Sequence, residues 1–135
     1  MKNTLLFLTG GALYILIELL YRGHSHISMF ILGGACFLLI GLLNEYCFSW
    51  QMALTSQMLL ATAGVTLAEY VTGVIVNLWL GLAVWDYSRQ PFNLQGQICL
   101  LYTCYWFWLS LPAILLDDIL REKWFGETRK EYKIL

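Results

Sequence analysis

Four long apolar stretches limit what this chain can fold into. A helix needs roughly 20 mostly apolar residues to cross about 30 Å of hydrocarbon. Residues 4–21, 27–43, 52–78 and 98–116 approach or reach that length. The third is longer than one crossing requires, so it is expected to tilt or to extend past the bilayer. Its continuation, Trp79 to Trp85, is apolar and aromatic. It reads equally as the end of that helix or as a short interfacial or re-entrant piece. The chain is 59% hydrophobic and 13% charged, against roughly 45 to 50% and about 25% in soluble proteins. This excludes an ordinary soluble domain. The expected fold is an all-α, polytopic membrane bundle of four transmembrane helices, with a short interfacial segment and an amphipathic C-terminal tail.

No Pro-, Gly- or Ser-rich linker divides the chain, so residues 1–116 form one transmembrane unit and residues 117–135 a cytoplasmic tail. In that tail charges alternate with Ile119, Leu120, Trp124, Phe125, Tyr132, Ile134 and Leu135, a pattern that suits a helix lying along the membrane surface. The first apolar stretch resembles a secretory signal only in its basic start at Lys2. Glu18, Leu19, Leu20, Tyr21 and Arg22 replace the small residues a signal peptidase needs, so it reads as a retained span. Four spans put Lys2 on the same side as Arg121, Lys123, Arg129, Lys130 and Lys133, and leave Arg22 and Arg89 on the other. Lys and Arg accumulate on the cytoplasmic side, so both termini are expected there, in the cell membrane. Trp50, Trp85 and Trp124 fall near span ends, where amphipathic rings prefer the headgroup level.

A net charge of -1 offers no basic stripe for nucleic acid. Cys36, Cys99 and Cys104 lie inside apolar stretches and Cys47 in a loop on the cytoplasmic side; no spacing suggests a metal site or a disulfide framework. They read as packing residues, and no cofactor is implied.

The informative residues are polar ones placed where lipid should be. A charge near the bilayer centre costs about 2.5 to 3.5 kcal/mol on insertion scales, so it normally faces protein or a water-filled cavity. Glu69 lies well inside the third span, and at helical pitch Thr55, Thr62, Thr66 and Gly73 project from the same side, with Asn77 close to that stripe. Two readings stay open. Either Glu69 is hydrogen-bonded and holds helices together while the threonines bond back to their own helix, or the seam lines a path for an ion or solute, with Asp86 continuing it outward.

Glu18 and Arg22 stand one turn apart at the outer end of the first span and can neutralise each other. Alternatively, Glu18 holds Arg22 toward an anionic substrate or lipid headgroup. His24 and His26 follow in the loop. Two His ligands without a third partner make a weak metal signal, whereas titration near neutral pH is a general property of imidazole. This loop shares a face with the segment 85–93, so Arg22, His24, His26, Asp86, Arg89 and Asn93 are candidates for one outer polar site.

Gly33, Gly34 and Gly41 on the second span, and Gly64 with Ala68 on the third, are small residues that permit close helix packing, within one chain or between copies. Four short helices enclose little interior, so a pathway of useful width arises more easily in a homo-oligomer, a dimer being the first expectation.

The stretch from Trp85 through Asp86, Tyr87, Ser88, Arg89, Gln90, Pro91, Phe92, Asn93, Leu94, Gln95, Gly96, Gln97, Ile98 and Cys99 to Leu100 resembles the signature of the CmpB-like, or type IV, family of ABC-transporter permeases. Leu67, Ala68, Glu69 and Tyr70 are similar to that family's acidic position ahead of the signature. The run from Glu18 to Met29 is similar to its short members. Gln97 stands where the resemblance leads us to expect Arg, and the first half lacks the Pro- and Gly-rich loop of longer members. The resemblance implies a permease-like membrane protein without naming a substrate. The sequence has no Walker-type phosphate loop, so ATP hydrolysis would need a partner ATPase.

Three functions follow. The first is an oligomeric permease or channel with a polar seam centred on Glu69. The second is a non-transporting module that binds membrane lipids or a partner protein. The third is an intramembrane enzyme acting on lipid headgroups through His24 or His26; no nucleophile, base and orienting residue stand at meaningful spacing for it, so an enzyme is the least expected of the three.

Overall fold

The computed structural model of the protein describes residues 1–49, 52–128 and 131–132, with the backbone alone over 47–49. Expectations that rest on the side chain of Cys47, or on Trp50, Arg129, Lys130, Lys133, Ile134 and Leu135, lie outside the described residues. The helices are α1 (Lys2–Arg22), α2 (Ile27–Ser49), α3 (Leu54–Gly73), prolonged by a π-helical turn over Val74–Trp79, and α4 (Leu100–Phe125). Each is long and apolar enough to cross a membrane. Of their most apolar windows, 17% is buried in α1 and α4, 22% in α3 with its π turn, and 56% in α2. Apolar faces left this open are what a bilayer covers, and helices satisfy their backbone groups internally as lipid demands. α2 is the hub: it packs against each of the other three helices.

The tightest seam joins α1 to α2 and is built on glycine. Phe37 lies over Gly10, Phe30 over Gly11, Tyr14 over Gly33 and Phe7 over Gly34. A Cβ on Gly10 would stand 2.3 Å from the Phe37 Cβ, and one on Gly33 would stand 2.3 Å from the Tyr14 Cβ. The missing Cβ lets the two backbones approach, the usual device of membrane helix pairs. Gly41 likewise meets Asp117 and Arg121, and Gly64 meets Leu39. These small residues are thus used inside the chain.

Helix ends are set locally. Gly23 takes a φ of 77° and returns its N–H to the Leu19 carbonyl, closing α1. The Nδ1 of His26 accepts the Ser28 N–H at 3.2 Å, satisfying one of the open donors of the first turn of α2. At the far end of α3 the Leu80 N–H bonds to the Ile75 carbonyl at 2.9 Å, and positive φ values at Gly81 and Ala83 turn the chain back. The apolar run after Trp79 therefore neither continues the helix nor starts another; it folds over the π turn, with Trp79, Leu80 and Leu82 exposed. Trp85 is buried within the protein, with its Nε1 donating to the Gln97 carbonyl at 2.9 Å. A two-residue hairpin, Asn93–Leu94 against Ile98–Cys99, then leads into α4.

α4 runs on past Leu116 to Phe125 despite Pro112 in its interior. The first part of the segment expected to lie along the membrane surface thus continues the fourth helix, because its charges are satisfied inward. Arg121 donates to Asp117 at 2.7 Å and Asn44 of α2 donates to Asp118 at 2.8 Å. An ion pair between Lys2 and Glu127 brings the start of α1 and the segment after α4 to the same end of the bundle. The two loops, joined by the Arg22 hydrogen bond to the Val84 carbonyl, form the other.

Candidate functional site

Glu69 sits on the inward face of α3 and is 2% exposed. Both of its oxygens accept hydrogen bonds from neutral donors: the Tyr87 hydroxyl reaches Oε1 at 3.2 Å and the Trp106 Nε1 reaches Oε2 at 3.0 Å. A carboxylate buried among rings, without an ion-pair partner among the described residues, differs from the usual buried charge, which is paired.

The α3–α4 loop delivers Tyr87. Asn77, in the π turn, accepts the Val84 N–H at 2.7 Å and donates to Gln97 at 2.8 Å, so it ties both ends of the loop to the helix it leaves. Gln97 is 3% exposed and donates to the Gln95 carbonyl. A neutral amide suits this place, since donor and acceptor are both satisfied where a guanidinium would bring an unbalanced charge. Gly73 makes room for it: a Cβ there would meet the Gln97 Oε1 at 2.6 Å. Burial, and then the neighbouring Glu69 carboxylate, push the Tyr87 phenol far above its ordinary range, so it remains a donor.

α1 and α4 meet through side chains. Tyr14 stacks on Trp106 at 5.7 Å, and the hydroxyls of Tyr21 and Tyr102 lie 3.0 Å apart. Between these helices are two adjoining cavities. The outer, of about 370 Å³, has walls of Tyr87, Tyr102, Tyr105 and Trp85, with Glu18 and Arg22 at its edge. The inner, of about 200 Å³, is apolar apart from a few groups and has Glu69 in its wall. Tyr14, Ile17, Trp106 and Leu109 line both. Ile17, Tyr105, Trp108 and Leu109 at the rim are exposed, so the cleft faces the surface that the bilayer covers.

The other sequence candidates separate. Thr62 is buried and bonds back to the Met58 carbonyl at 2.7 Å; Thr66 Oγ1 is buried with no partner among the described residues. Arg22 Nε donates to Glu18 at 2.6 Å, and its Nη2 is buried without a partner among the described residues. His26 turns to Ser28, Asp86 caps the Ser88 N–H at 2.8 Å, and Asn93 fastens the loop through the Gln90 carbonyl and the Gly96 N–H. His24 and Arg89 are exposed. Glu18 and Arg22 therefore join the cleft, while His24, His26, Asp86, Arg89 and Asn93 do not line it. Sequence reasoning missed Tyr87 and Trp106 as partners of Glu69, since nothing in their spacing ties them to it. It also missed the buried cluster of Asn44, Asp117, Asp118 and Arg121, for which the i, i+4 spacing of Asp117 and Arg121 was an available signal.

Four long apolar helices that leave much of their surface open define a multi-pass membrane protein. The chain belongs to the family described as "Putative ABC-transporter type IV", whose model matches residues 5–134. No curated protein and no solved structure matches it significantly. Family and fold together fit a membrane protein related to transport.

Proposed function

We propose that the protein is a permease- or channel-like component of the cell membrane in which Glu69 is the polar group that a moving ion or solute meets. The observation that carries this reading is a buried carboxylate held by two neutral donors in the wall of a cavity. Intramembrane ionisable groups of this kind mark pathways more often than they serve as packing. Both termini lie in the cytoplasm on this reading, supported by the excess of Lys and Arg near the two ends of the sequence over the single Arg22 and Arg89 between spans. The protein works as a homo-oligomer, a dimer being the simplest, because cavities of this size in one chain do not make a continuous route. A separate ATPase would supply any energy from ATP, since the sequence has no phosphate loop.

The test is flux of small ions and protons into liposomes holding the purified protein. Flux is expected in wild type, unchanged in Lys123→Gln on the exposed side of α4, and lost in Glu69→Gln with folding and oligomeric state intact. Flux that persists in Glu69→Gln would sink the assignment. The second reading, a lipid- or partner-binding module without transport, draws on the opening of the cleft toward the bilayer. It predicts no flux in any variant and a change of stability or assembly in Glu69→Gln.

A further inference from the structure

The cleft between α1 and α4 has a chemistry of its own, set by rings and by the sign of its charges. Tyr87 stacks on Tyr102 with ring centres 4.6 Å apart, Tyr105 stands edge-on to Tyr102 at 5.5 Å, and Trp106 closes the boundary between the two cavities. Aromatic faces carry negative quadrupole potential and attract cations, most strongly where water is excluded. Among the described lining residues the charged ones are Glu18, Arg22 and Glu69. Arg22 Nε is engaged by Glu18 at 2.6 Å and Nη1 by the Val84 carbonyl at 3.0 Å, so its charge is balanced by Glu18 even though its Nη2 has no partner among the described residues. Glu69 faces no compensating cation among the described residues. The charge left over is acidic and the walls are π faces.

We infer that the cleft binds a lipophilic organic cation, entering from the bilayer between α1 and α4, with its apolar body against the outer aromatic cavity and its positive charge drawn toward Glu69. The combined size of the two cavities suits a small ligand, and the exposed apolar rim gives a membrane-dissolved compound access without crossing water. A lipid with an anionic headgroup fits less well, because both the rings and the net charge oppose it. This ligand class rests on Glu69 being the functional group of the cleft.

The full chain in detergent micelles is titrated with tetraphenylphosphonium and, in parallel, with tetraphenylborate, an anion of nearly the same shape, following tryptophan fluorescence against empty micelles. Saturable phosphonium binding is expected, with the borate weaker by roughly ten-fold or more, the ratio that about 1.4 kcal/mol produces. Glu69→Gln should weaken the phosphonium by a similar factor. Tyr102→Leu, which alters neither Glu69 nor the residues that donate to it, should weaken it by roughly two- to five-fold through loss of one ring; this arm keeps the test decisive if Glu69→Gln does not fold. Equal binding of the two ions, no saturable phosphonium binding, or phosphonium affinity untouched in the folded variants overturns the inference. Phosphonium binding without flux of any ion leaves the cation site standing and removes the permease reading. Flux that needs Glu69 while both ions bind alike does the reverse.

Discussion

The two ends of the bundle each bury acidic residues, and they handle the charge in opposite ways. At the terminal end Asp117 is fully buried, yet Arg121 lies against it at 2.7 Å, Glu45 and Glu127 approach the same guanidinium at 3.9 and 3.7 Å, and Asn44 and Tyr132 donate to Asp118. Asp117 is answered by charge, and its neighbour Asp118 by an amide and a phenol beside the same cluster. Toward the loop end Glu69 is answered by a phenol and an indole, which stabilise a carboxylate without neutralising it, and open space lies beside it. Neither cavity is lined by Asn44, Asp117, Asp118 or Arg121. A compensated buried cluster locks helices together. An uncompensated group next to a cavity is poised for a ligand. Burial alone did not separate the two; the partners did.

The largest effect should come from breaking the compensated end. Arg121→Ala leaves Asp117 buried without its cation, and removing one partner of a buried pair costs about 3 to 5 kcal/mol. Thermal unfolding in micelles should show it as the most damaging single change among the polar residues, while phosphonium binding by the molecules that remain folded is retained. Near-wild-type stability would mean that the terminal end is not held by charge pairing, and the contrast would collapse.

A smaller effect is expected at the other end. Trp106→Phe keeps most of the ring but removes the donor to Glu69 Oε2, which should cost about 1 to 3 kcal/mol because the acceptor is left buried and unsatisfied. In a Glu69→Leu background the same change should cost much less. The coupling between the two sites should then fall at about 0.5 to 3 kcal/mol in a double-mutant cycle. Additive costs would show that Trp106 packs beside Glu69 without serving it.

Much of this contrast was hidden in the sequence for physical reasons. Span lengths and the inward placement of Glu69 were legible because hydrocarbon thickness and helical pitch act on local runs of residues. The pairing of Glu18 with Arg22 was legible for the same reason, as both lie on one helix. Tyr87 and Trp106 were not, since they reach Glu69 from a folded-back loop and from α4, and the loop's path depends on Asn77, Gly73 and Gln97 fitting together. The charged residues after Leu116 suggested a surface helix because alternation looks alike on a membrane surface and on a helix that buries one charged face. Only the partner, Asn44 of α2, distinguishes them. The outer-loop candidates shared a topological side, but His26, Asp86 and Asn93 are engaged by Ser28 or by loop backbone and His24 and Arg89 are exposed, leaving the paired Glu18 and Arg22 in the cleft.

The smallest effect concerns that outer loop, and it sharpens the contrast by showing what an exposed carboxylate does. Asp86 accepts the Ser88 N–H at 2.8 Å, and this backbone bond, followed by the Ser88 side chain, lowers its pKa below the ordinary aspartate value. A depressed pKa means that the folded loop favours the ionised form. Its contribution is therefore fully present above the ordinary value near 3.9 and is lost as pH falls through the lower folded value. Amide exchange at Ser88 should speed up over that acidic window in wild type and be fast throughout in Asp86→Ala. Flux and cation binding at neutral pH should stay unchanged in Asp86→Ala, because the cleft does not include this residue. Loss of flux in Asp86→Ala would instead extend the pathway outward from Glu69 into the loop, and would make the polar route longer than the cleft alone.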